Sequence, residues 1–208
     1  MDKLDLILIG AGGHTRACID VIEQQAQYHI AGMIGVPEEK DKLHLGYKVI
    51  ATDDELPQLA KHYKYAFITV GQIQTADIRK RLYQKAVKHG FQLPTIIAPT
   101  AYVSSHASIG AGTIIMHGVI INAGTKVGDN CIINTRSVIE HGAVVDEHCH
   151  IATCAVINGD AVIGSGSFIG SGSIIKEGVS IGKDSIVGMG LSVRHDQIDD
   201  ANFFGKGN

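Results

Sequence analysis

The sequence predicts two domains, a small α/β domain over residues 1–98 and a parallel β-helix over residues 99–208. In the first part, short apolar runs alternate with helix-like stretches, which is the pattern of a sheet whose strands are joined by helices. In the second part, a branched aliphatic residue recurs at every sixth position, and no helical period keeps such residues on one side. A chain of 208 residues is long enough for each unit to bury a core of its own.

The first domain begins with a buried strand. Leu6–Ile9 is a continuous apolar run, the glycine-rich turn Gly10–His14 follows it, and an amphipathic stretch then reaches about Gln27. A second strand is predicted at Ile30–Ile34. The strand, turn and helix in succession place backbone amides at a helix start, where a phosphate is well accommodated.

The rest of this domain repeats the same order. Thr52 with Glu55 predicts a capping box, and Ala66–Val70 reads as a third strand that ends at Gly71. A helix over residues 75–89 is then predicted to end at Gly90. This alternation predicts a small parallel sheet of the doubly wound, Rossmann-like type.

The second domain is a hexapeptide repeat without a break. Three hexapeptides form an 18-residue triangular coil, so roughly five coils stack at about 4.8 Å into a rod about 24 Å long. Cys131 and Cys149 stand one coil apart at inward positions and are predicted to stack in the core, with a disulfide as the alternative. The inward Ile and Val positions are 103, 109, 115, 121, 127, 133, 139, 145, 151, 157, 163, 169, 175, 181, 187 and 193.

Composition and charge exclude several function classes. The formal net charge is -3 without a block of like charges, so nothing favours nucleic acid or an anionic membrane as partner. The first apolar run is too short for a signal peptide or a membrane span. We therefore expect a soluble, cytoplasmic protein that binds small molecules.

The outward positions of the rod predict an oligomer. Two columns of residues that precede the inward ones are mostly apolar, and a third is more polar. Two apolar faces suit a rod that packs against two neighbours around a threefold axis, although β-rich surfaces also carry branched residues without such a role. One apolar column is Ile114, Ile132, His150, Phe168, Ile186, and the other is Tyr102, Ile120, Val138, Val156, Ile174, Ser192.

Three polar residues suggest acyl-transfer chemistry. Glu140 and His141 follow the inward Ile139, so they stand on an exposed corner of the coil. A histidine suits proton removal from an attacking amine or hydroxyl at neutral pH. His150, half a coil along, interrupts an apolar column; it is either a structural group at a subunit interface or a donor for an oxyanion.

The hexapeptides, the run Asn134–His150 and the turn Gly10–His14 together resemble the sialic acid O-acetyltransferase-like family, which also contains nucleotide-sugar N-acetyltransferases. The resemblance covers essentially the whole chain. It implies a left-handed β-helix, a homotrimer with active sites between subunits, acetyl-CoA as cosubstrate along the rod, a sugar held under the N-terminal domain, and no metal.

The resemblance also implies roles for individual residues. His141 matches the general base and His150 the histidine near the acetyl-CoA thioester. Many relatives carry an acidic residue directly after the base, whereas this chain has Gly142, so Glu140 or a residue of another subunit would have to orient the ring. Coenzyme contacts fall on Gly159, Gly170 and Ser171, and substrate contacts fall on Gly12, Gly13, His14, Gly71 and Asn134.

The C-terminal residues depart from the family pattern. Relatives finish the rod with a loop that touches the adenine end of the coenzyme, whereas this chain ends with residues 203–208. Phe203 and Phe204 are predicted to cap the last coil instead.

Several functions remain open at this stage. The resemblance fits N-acetylation of a nucleotide-linked amino sugar, such as a 4-amino-4,6-dideoxyhexose of a bacterial surface glycan. It also fits O-acetylation of sialic acid or a related nonulosonic acid. A zinc-dependent hydratase with His141, His148 and His150 as ligands and a non-catalytic scaffold are the alternatives from other classes.

Overall fold

The N-terminal domain is a five-stranded sheet flanked by helices. In this computed structural model, which describes residues 3–204, the strand order is β3-β4-β2-β1-β5, with β3 antiparallel to β4 and the other pairs parallel. Two short 3-10 helices, Pro37–Glu39 and Asp53–Glu55, complete the domain. Its elements are β1 (Leu4–Ile9), α1 (Gly13–Gln25), β2 (Tyr28–Gly35), β3 (Leu43–His44), β4 (Tyr47–Thr52), α2 (Leu56–Leu59), β5 (Tyr65–Ile68) and α3 (Asp77–Lys88).

The predicted elements of this domain are confirmed, and two strands are new. The capping box forms, because the Thr52 backbone N–H donates to Glu55 Oε2 at 2.8 Å. Gly90 follows α3 with a φ of 87°, the left-handed conformation that ends a helix. The β3–β4 hairpin was not predicted, since β3 has only two residues and β4 is half exposed.

The second domain is a left-handed parallel β-helix, as the resemblance implied. Two-residue strands pair in parallel with the strand 18 residues further on, as in Ile133 with Ile151. Every inward residue from Ile115 to Val193 is at most 4% exposed. Cys131 and Cys149 are free, buried thiols, which confirms that they stack in the core.

Three faces run along the rod. The junction face consists of β6 (Ile96–Ile97), β9 (Ile114–Ile115), β12 (Ile132–Ile133), β15 (His150–Ile151), β18 (Phe168–Ile169), β21 (Ile186–Val187) and β23 (Asn202–Phe203). The open face consists of β7 (Tyr102–Val103), β10 (Ile120–Ile121), β13 (Val138–Ile139), β16 (Val156–Ile157), β19 (Ile174–Ile175) and β22 (Ser192–Val193). The mixed face consists of β8 (Ser108–Ile109), β11 (Lys126–Val127), β14 (Val144–Val145), β17 (Val162–Ile163) and β20 (Ser180–Ile181).

The first strand of the rod lies just before the predicted domain boundary. β6 pairs with β9, so the junction face begins at Ile96, ahead of residue 99. At the other end, Phe203 pairs with Val187 and packs on the core, whereas Phe204 is 64% exposed. Phe203 alone therefore covers the last coil as predicted. Residues 205–208 of the predicted cap lie outside the described part of the chain, as do residues 1 and 2.

One of the two apolar columns is covered by the chain itself. Ile114 and Ile132 are 0% exposed and His150 is 8% exposed, because the N-terminal domain packs on the junction face. The expectation that this column faces another subunit is therefore wrong for Ile114, Ile132 and His150, whereas Phe168 and Ile186 stay partly exposed. An apolar column in the sequence does not reveal whether its own chain or a neighbour covers it. The open face remains apolar and uncovered, with Ile120 41% and Ile174 44% exposed.

No helix among residues 3–204 has the length and apolar character needed to cross a membrane.

Candidate active site

His141 stands on the edge between the open and mixed faces, in the turn that joins β13 to β14. Its side chain is exposed and leans toward the next coil, over Gly159. A Cβ atom at position 159 would lie 2.6 Å from His141 Cε1 and 2.8 Å from Nε2. The structure thus brings the predicted base and one predicted coenzyme residue together, and the absence of a side chain at 159 leaves room for the ring in this position.

Glu140 is next to His141 in the chain, but its carboxylate is directed away from the histidine. Glu140 Oε2 accepts a hydrogen bond of 2.9 Å from Asn122 Nδ2, on the preceding coil. The catalytic role of Glu140 stays a prediction.

A carboxylate that was not singled out from the sequence lies one coil further along the same edge, over Gly142. Asp160 is on the coil that follows His141, and its backbone N–H donates to the His141 carbonyl at 3.0 Å. A Cβ atom at Gly142 would collide with Asp160 Oδ1. The 18-residue period alone puts position 160 over position 142, so the repeat contained the signal.

A second histidine site lies where the N-terminal domain meets the rod. His14 is in the first turn of α1 and His150 is on β15, with their ring centroids 6.4 Å apart. His150 Nδ1–H donates to the Gln72 carbonyl at 2.6 Å, and its Nε2 accepts from Asn134 Nδ2 at 3.1 Å. The Gln72 amide donates in turn to the Gly166 carbonyl at 3.0 Å. This junction cluster, His14, Gln72, Asn134 and His150, fastens the N-terminal domain to the rod.

Burial keeps both of these histidines neutral. Desolvation, together with the positive charge of Arg79, lowers the pKa of His14 to about 3. Desolvation also lowers the pKa of His150 to about 4, against the opposing effect of its bond to Gln72. The only N–H of a neutral His150 ring is used by the Gln72 carbonyl, so His150 has none for an oxyanion in this geometry. Its contact with the coenzyme stays a prediction.

Arg79 reinforces the junction and was not singled out from the sequence. This α3 side chain is 1% exposed and donates from Nη1 to the Ile68 and Val70 carbonyls. Its Nη2 donates to the Asn130 carbonyl at 3.0 Å and to Asn130 Oδ1 at 2.8 Å, on the rod. Burial lowers the pKa of Arg79 to about 10, so the guanidinium stays charged at neutral pH. The spacing of Arg79 from the buried Leu82 and Ala86 is the sequence signal that could have placed it on the inner side of the helix.

The predicted sugar-nucleotide residues of the N-terminal domain converge on one cavity of about 360 Å³. Gly12, Gly13 and His14 form one wall of the cavity. Gly71 lies next to His14, since a Cβ atom added at Gly71 would be 3.5 Å from the His14 Cβ. Charged side chains from three other segments complete the lining: Glu39, Asp53 and Arg81. Asn134 lies on the rod beside His150 instead.

Gly170 and Ser171 lie on the edge between the junction and open faces. They line a cavity of about 400 Å³ with Phe168, Met189 and Phe204. A Cβ at Gly170 would lie 2.5 Å from the backbone of Gly188, so only glycine fits there. These two predicted coenzyme residues therefore stand on a different edge from His141 and Gly159.

The topology separates the parts of this site within one chain. A triangular rod has three edges, and the edge that carries His141 is the one that does not border the junction face. The cavity at the glycine turn belongs to the domain that covers the junction face. A single chain thus holds His141 and this cavity on opposite sides of the rod.

Comparison with known proteins places the chain in a family. Residues 5–86 match the PglD N-terminal domain, residues 124–159 the bacterial transferase hexapeptide (six repeats), and residues 161–194 the hexapeptide repeat of succinyl-transferase. Perosamine N-acetyltransferase from Caulobacter crescentus, a mutant with asparagine in place of a histidine solved with CoA and GDP-perosamine, is 32% identical. That alignment covers 94% of this chain and 91% of the other, with a TM-score of 0.89. The chain belongs to the hexapeptide nucleotide-sugar N-acetyltransferase family.

Two further relatives support this family. The acetyltransferase domain of PglB from Neisseria gonorrhoeae FA1090, in complex with acetyl coenzyme A, is 28% identical over 95% of this chain and 94% of its own, with a TM-score of 0.86. GDP-perosamine N-acetyltransferase from Escherichia coli O157:H7 is 31% identical over 121 residues, 55% of this chain. The match spans 52% of the length of that curated relative.

The zinc alternative finds no support in the geometry. Among residues 3–204, no group of three or more His, Cys, Asp or Glu side chains could hold a metal ion. His148 is half buried, with Nδ1 3.0 Å from Asn130 Nδ2. It lies on the edge between the mixed and junction faces, away from the His141 edge.

Proposed function

We propose that this protein is an acetyl-CoA-dependent N-acetyltransferase that acts on the amino group of a nucleotide-linked amino sugar, such as a 4-amino-4,6-dideoxyhexose, in bacterial surface glycan synthesis. Relatives that share its fold over nearly the whole chain bind CoA with GDP-perosamine, or acetyl coenzyme A. The observation that carries the proposal is the pairing of an exposed histidine on a β-helix with a cavity built on a glycine turn at a helix start, where backbone N–H groups suit a diphosphate.

In this proposal His141 is the general base. The amine nitrogen attacks the thioester carbonyl carbon, His141 takes the proton that the nitrogen loses, the C–S bond breaks, and the thiolate leaves and is protonated. The products are the sugar amide and CoA. An exposed imidazole suits this role, since the substrate can reach it and the proton that it takes can pass to the leaving thiolate.

The proposed assembly is a homotrimer with its sites between subunits. If the open face turns toward a threefold axis, the His141 edge of one chain meets the neighbour's edge that carries Gly170 and Ser171. His150 and the nucleotide cavity of that neighbour lie beside the same edge. The apolar, uncovered character of the open face favours this arrangement.

The experiment is an acceptor screen with a matched variant. The purified protein is mixed with acetyl-CoA and each of several nucleotide 4-amino sugars or free sialic acid, and CoA release is followed with a thiol reagent. We expect turnover with a nucleotide amino sugar and an amide product by mass spectrometry. Turnover only with the free sugar acid, to give an alkali-labile ester, would establish O-acetylation instead.

His141→Ala tests the base. Its turnover should fall by roughly 100-fold or more. His106→Ala is the control, because His106 is also exposed and stands on the same edge of the rod, two coils earlier. Equal activity in both variants and the unmodified protein would exclude His141 as the base.

A further inference from the structure

A large cavity lies on the edge of the rod that carries His141, toward the C-terminal end. It has a volume of about 630 Å³. Charged and imidazole side chains of two turns line it together with residues of β19 and β22: Lys176, Glu177, Arg194, His195, Ile174 and Ser192. These turns are the second and third after the turn of His141 along the same edge. The cavity is therefore a continuation of the His141 edge.

The turns of this edge place cations and carboxylates on different sides. The first residue of each turn adjoins the open-face strand that precedes it, whereas the third residue leads to the mixed face. Lys176 and Arg194 are first residues, and both line the cavity. Asp196 is a third residue, and its Oδ1 accepts from the Ser180 N–H at 2.9 Å, on the mixed face. The cavity wall thus holds two cations and one carboxylate, that of Glu177.

Glu177 binds its neighbour too weakly to close the cavity to anions. Its Oε1 lies 3.9 Å from Lys176 Nζ, and 69% of the Glu177 side chain and 52% of the Lys176 side chain are exposed. An ion pair this long and this exposed is weak, so a bound anion can displace the carboxylate. The side chains of Arg194 and His195 are also exposed, which leaves their N–H donors open to a ligand. The cavity therefore suits an anionic group.

We infer that the basic pocket formed by Lys176, Arg194 and His195 binds the phosphate groups at the nucleotide end of acetyl-CoA. This assignment rests on the proposed function, in which His141 acts at the thioester of that coenzyme. The pantetheine arm joins the thioester sulfur to the first phosphate through about twelve bonds, which equals about four extended residues or about 13–14 Å. His195 stands three coils beyond His141, which is about 14 Å at the strand spacing of about 4.8 Å. One extended arm therefore spans the distance from the base to the pocket.

The charge distribution also determines the direction of the coenzyme on the rod. Toward the N-terminal end, the turns of the same edge are residues 122–125 and 104–107, and they contain no lysine or arginine. On the facing edge of the proposed neighbour, residues 170–173 and 188–191 contain no charged side chain. Of these turns, only those of the basic pocket supply lysine or arginine to the coenzyme phosphates. The nucleotide end therefore lies toward the C-terminal coils.

The three side chains of the basic pocket suit phosphate in different ways. The Arg194 guanidinium can donate two parallel N–H bonds to phosphate oxygens, and the Lys176 ammonium acts as a point charge. His195 supplies a ring N–H as a neutral imidazole. These contacts are the same before and during acetyl transfer, because the phosphates lie one arm away from the reacting carbonyl. They therefore lower the KM for acetyl-CoA and leave kcat unchanged.

Isothermal titration calorimetry with CoA tests the basic pocket without an acceptor. Lys176→Gln and Arg194→Gln should each raise the Kd for CoA about tenfold, because each variant loses a charge-assisted contact with phosphate. Glu177→Gln removes the opposing carboxylate and should lower the Kd about twofold. Lys183→Gln is the matched control and should leave the Kd unchanged, because Lys183 is an exposed cation on the edge between the mixed and junction faces.

A fragment of the coenzyme distinguishes phosphate binding from a general disturbance of the site. S-acetylpantetheine has the thioester and most of the arm but no phosphate, so its kcat/KM should be the same in all four variants and the unmodified protein. An unchanged Kd for CoA in Lys176→Gln and Arg194→Gln, or an equal loss with S-acetylpantetheine, would overturn the assignment of the pocket. If the unmodified protein binds CoA but acetylates no nucleotide amino sugar, the proposed acceptor fails, and the calorimetry still decides on the pocket. If the unmodified protein does not bind CoA, the proposed function itself fails.

Discussion

His141 and His150 stand nine residues apart in the sequence, and the chain holds them in opposite ways. His141 is exposed on an edge of the rod, and its ring leans over Gly159. His150 is 8% exposed, and both of its ring nitrogens are bonded within the chain. An exposed ring can exchange protons with a substrate, whereas a buried neutral ring links two domains. The proposed base and the anchoring histidine therefore belong to separate sites, and each can be changed without the other.

The largest expected effect comes from breaking the anchor. Arg79→Met keeps an apolar side chain of similar length but leaves the carbonyls of Ile68, Val70 and Asn130 without their charged donor. We expect the free energy of unfolding to fall by about 3–5 kcal/mol, measured by urea denaturation. Arg81→Met on the exposed side of the same helix is the control and should change it by less than about 0.5 kcal/mol. If the free energy of unfolding of Arg79→Met falls by less than about 1 kcal/mol, the hydrogen bonds of Arg79 do not anchor the N-terminal domain to the rod.

The next effect comes from breaking the proposed assembly. The double variant Ile120→Glu with Ile174→Glu places two negative charges on the uncovered open face. In a threefold arrangement these charges would meet the apolar open faces of the neighbours, without a positive charge to pair with. We expect the proposed trimer to dissociate into monomers, measured by light scattering. Turnover should fall about 100-fold, which corresponds to about 2.7 kcal/mol, because His141 loses the cavity of the neighbouring subunit. Lys126→Glu on the mixed face should keep both properties. An active monomer would contradict a site shared between subunits.

The rod could be predicted residue by residue, because its period links sequence to position directly. Ile133 and Ile151 are inward in the sequence pattern and buried in the structure. The same period puts Gly159 over His141 and Asp160 over Gly142 in the structure, but Gly159 was predicted only from the family resemblance and Asp160 was not predicted.

The junction could not be predicted in this way. Its contacts join segments that no period connects: the Gln72 carbonyl with His150, and Arg79 with Asn130. From the sequence, His150 in an apolar column looked the same whether its own chain or another subunit covered it. Long-range hydrogen bonds between two domains leave no local pattern, so the anchoring role emerges only from the fold.

A smaller effect is expected at the exposed His141. Gly159→Ala inserts a methyl group 2.6 Å from the present position of His141 Cε1, so the ring must move. We expect kcat to fall about tenfold, about 1.4 kcal/mol, with the free energy of unfolding changed by less than about 0.5 kcal/mol. Steady-state kinetics and urea denaturation of the same preparation measure kcat and the free energy of unfolding. Unchanged turnover would show that the ring position seen here is not the one used in catalysis.

The last prediction concerns how the free energy of unfolding changes with pH through the two buried histidines. Their folded pKa values, about 3 for His14 and about 4 for His150, lie below the ordinary 6.5, so the unfolded chain binds protons that the folded chain does not. Their full contribution is present above pH 6.5 and is lost as pH falls from 6.5 toward 4, at about 1.4 kcal/mol per pH unit for each histidine.

His150→Gln removes one of these two groups and should halve that part of the slope, measured by urea denaturation between pH 7 and 5. His62→Gln, an exposed histidine of the same protein, should leave the slope unchanged. The absolute stability of His150→Gln at pH 7 falls because its bonds to Gln72 and Asn134 change, so the slope and not the intercept is the measurement. A slope identical to that of the unmodified protein would mean that His150 binds as many protons in the folded chain as in the unfolded chain, which would contradict a neutral His150 at the junction.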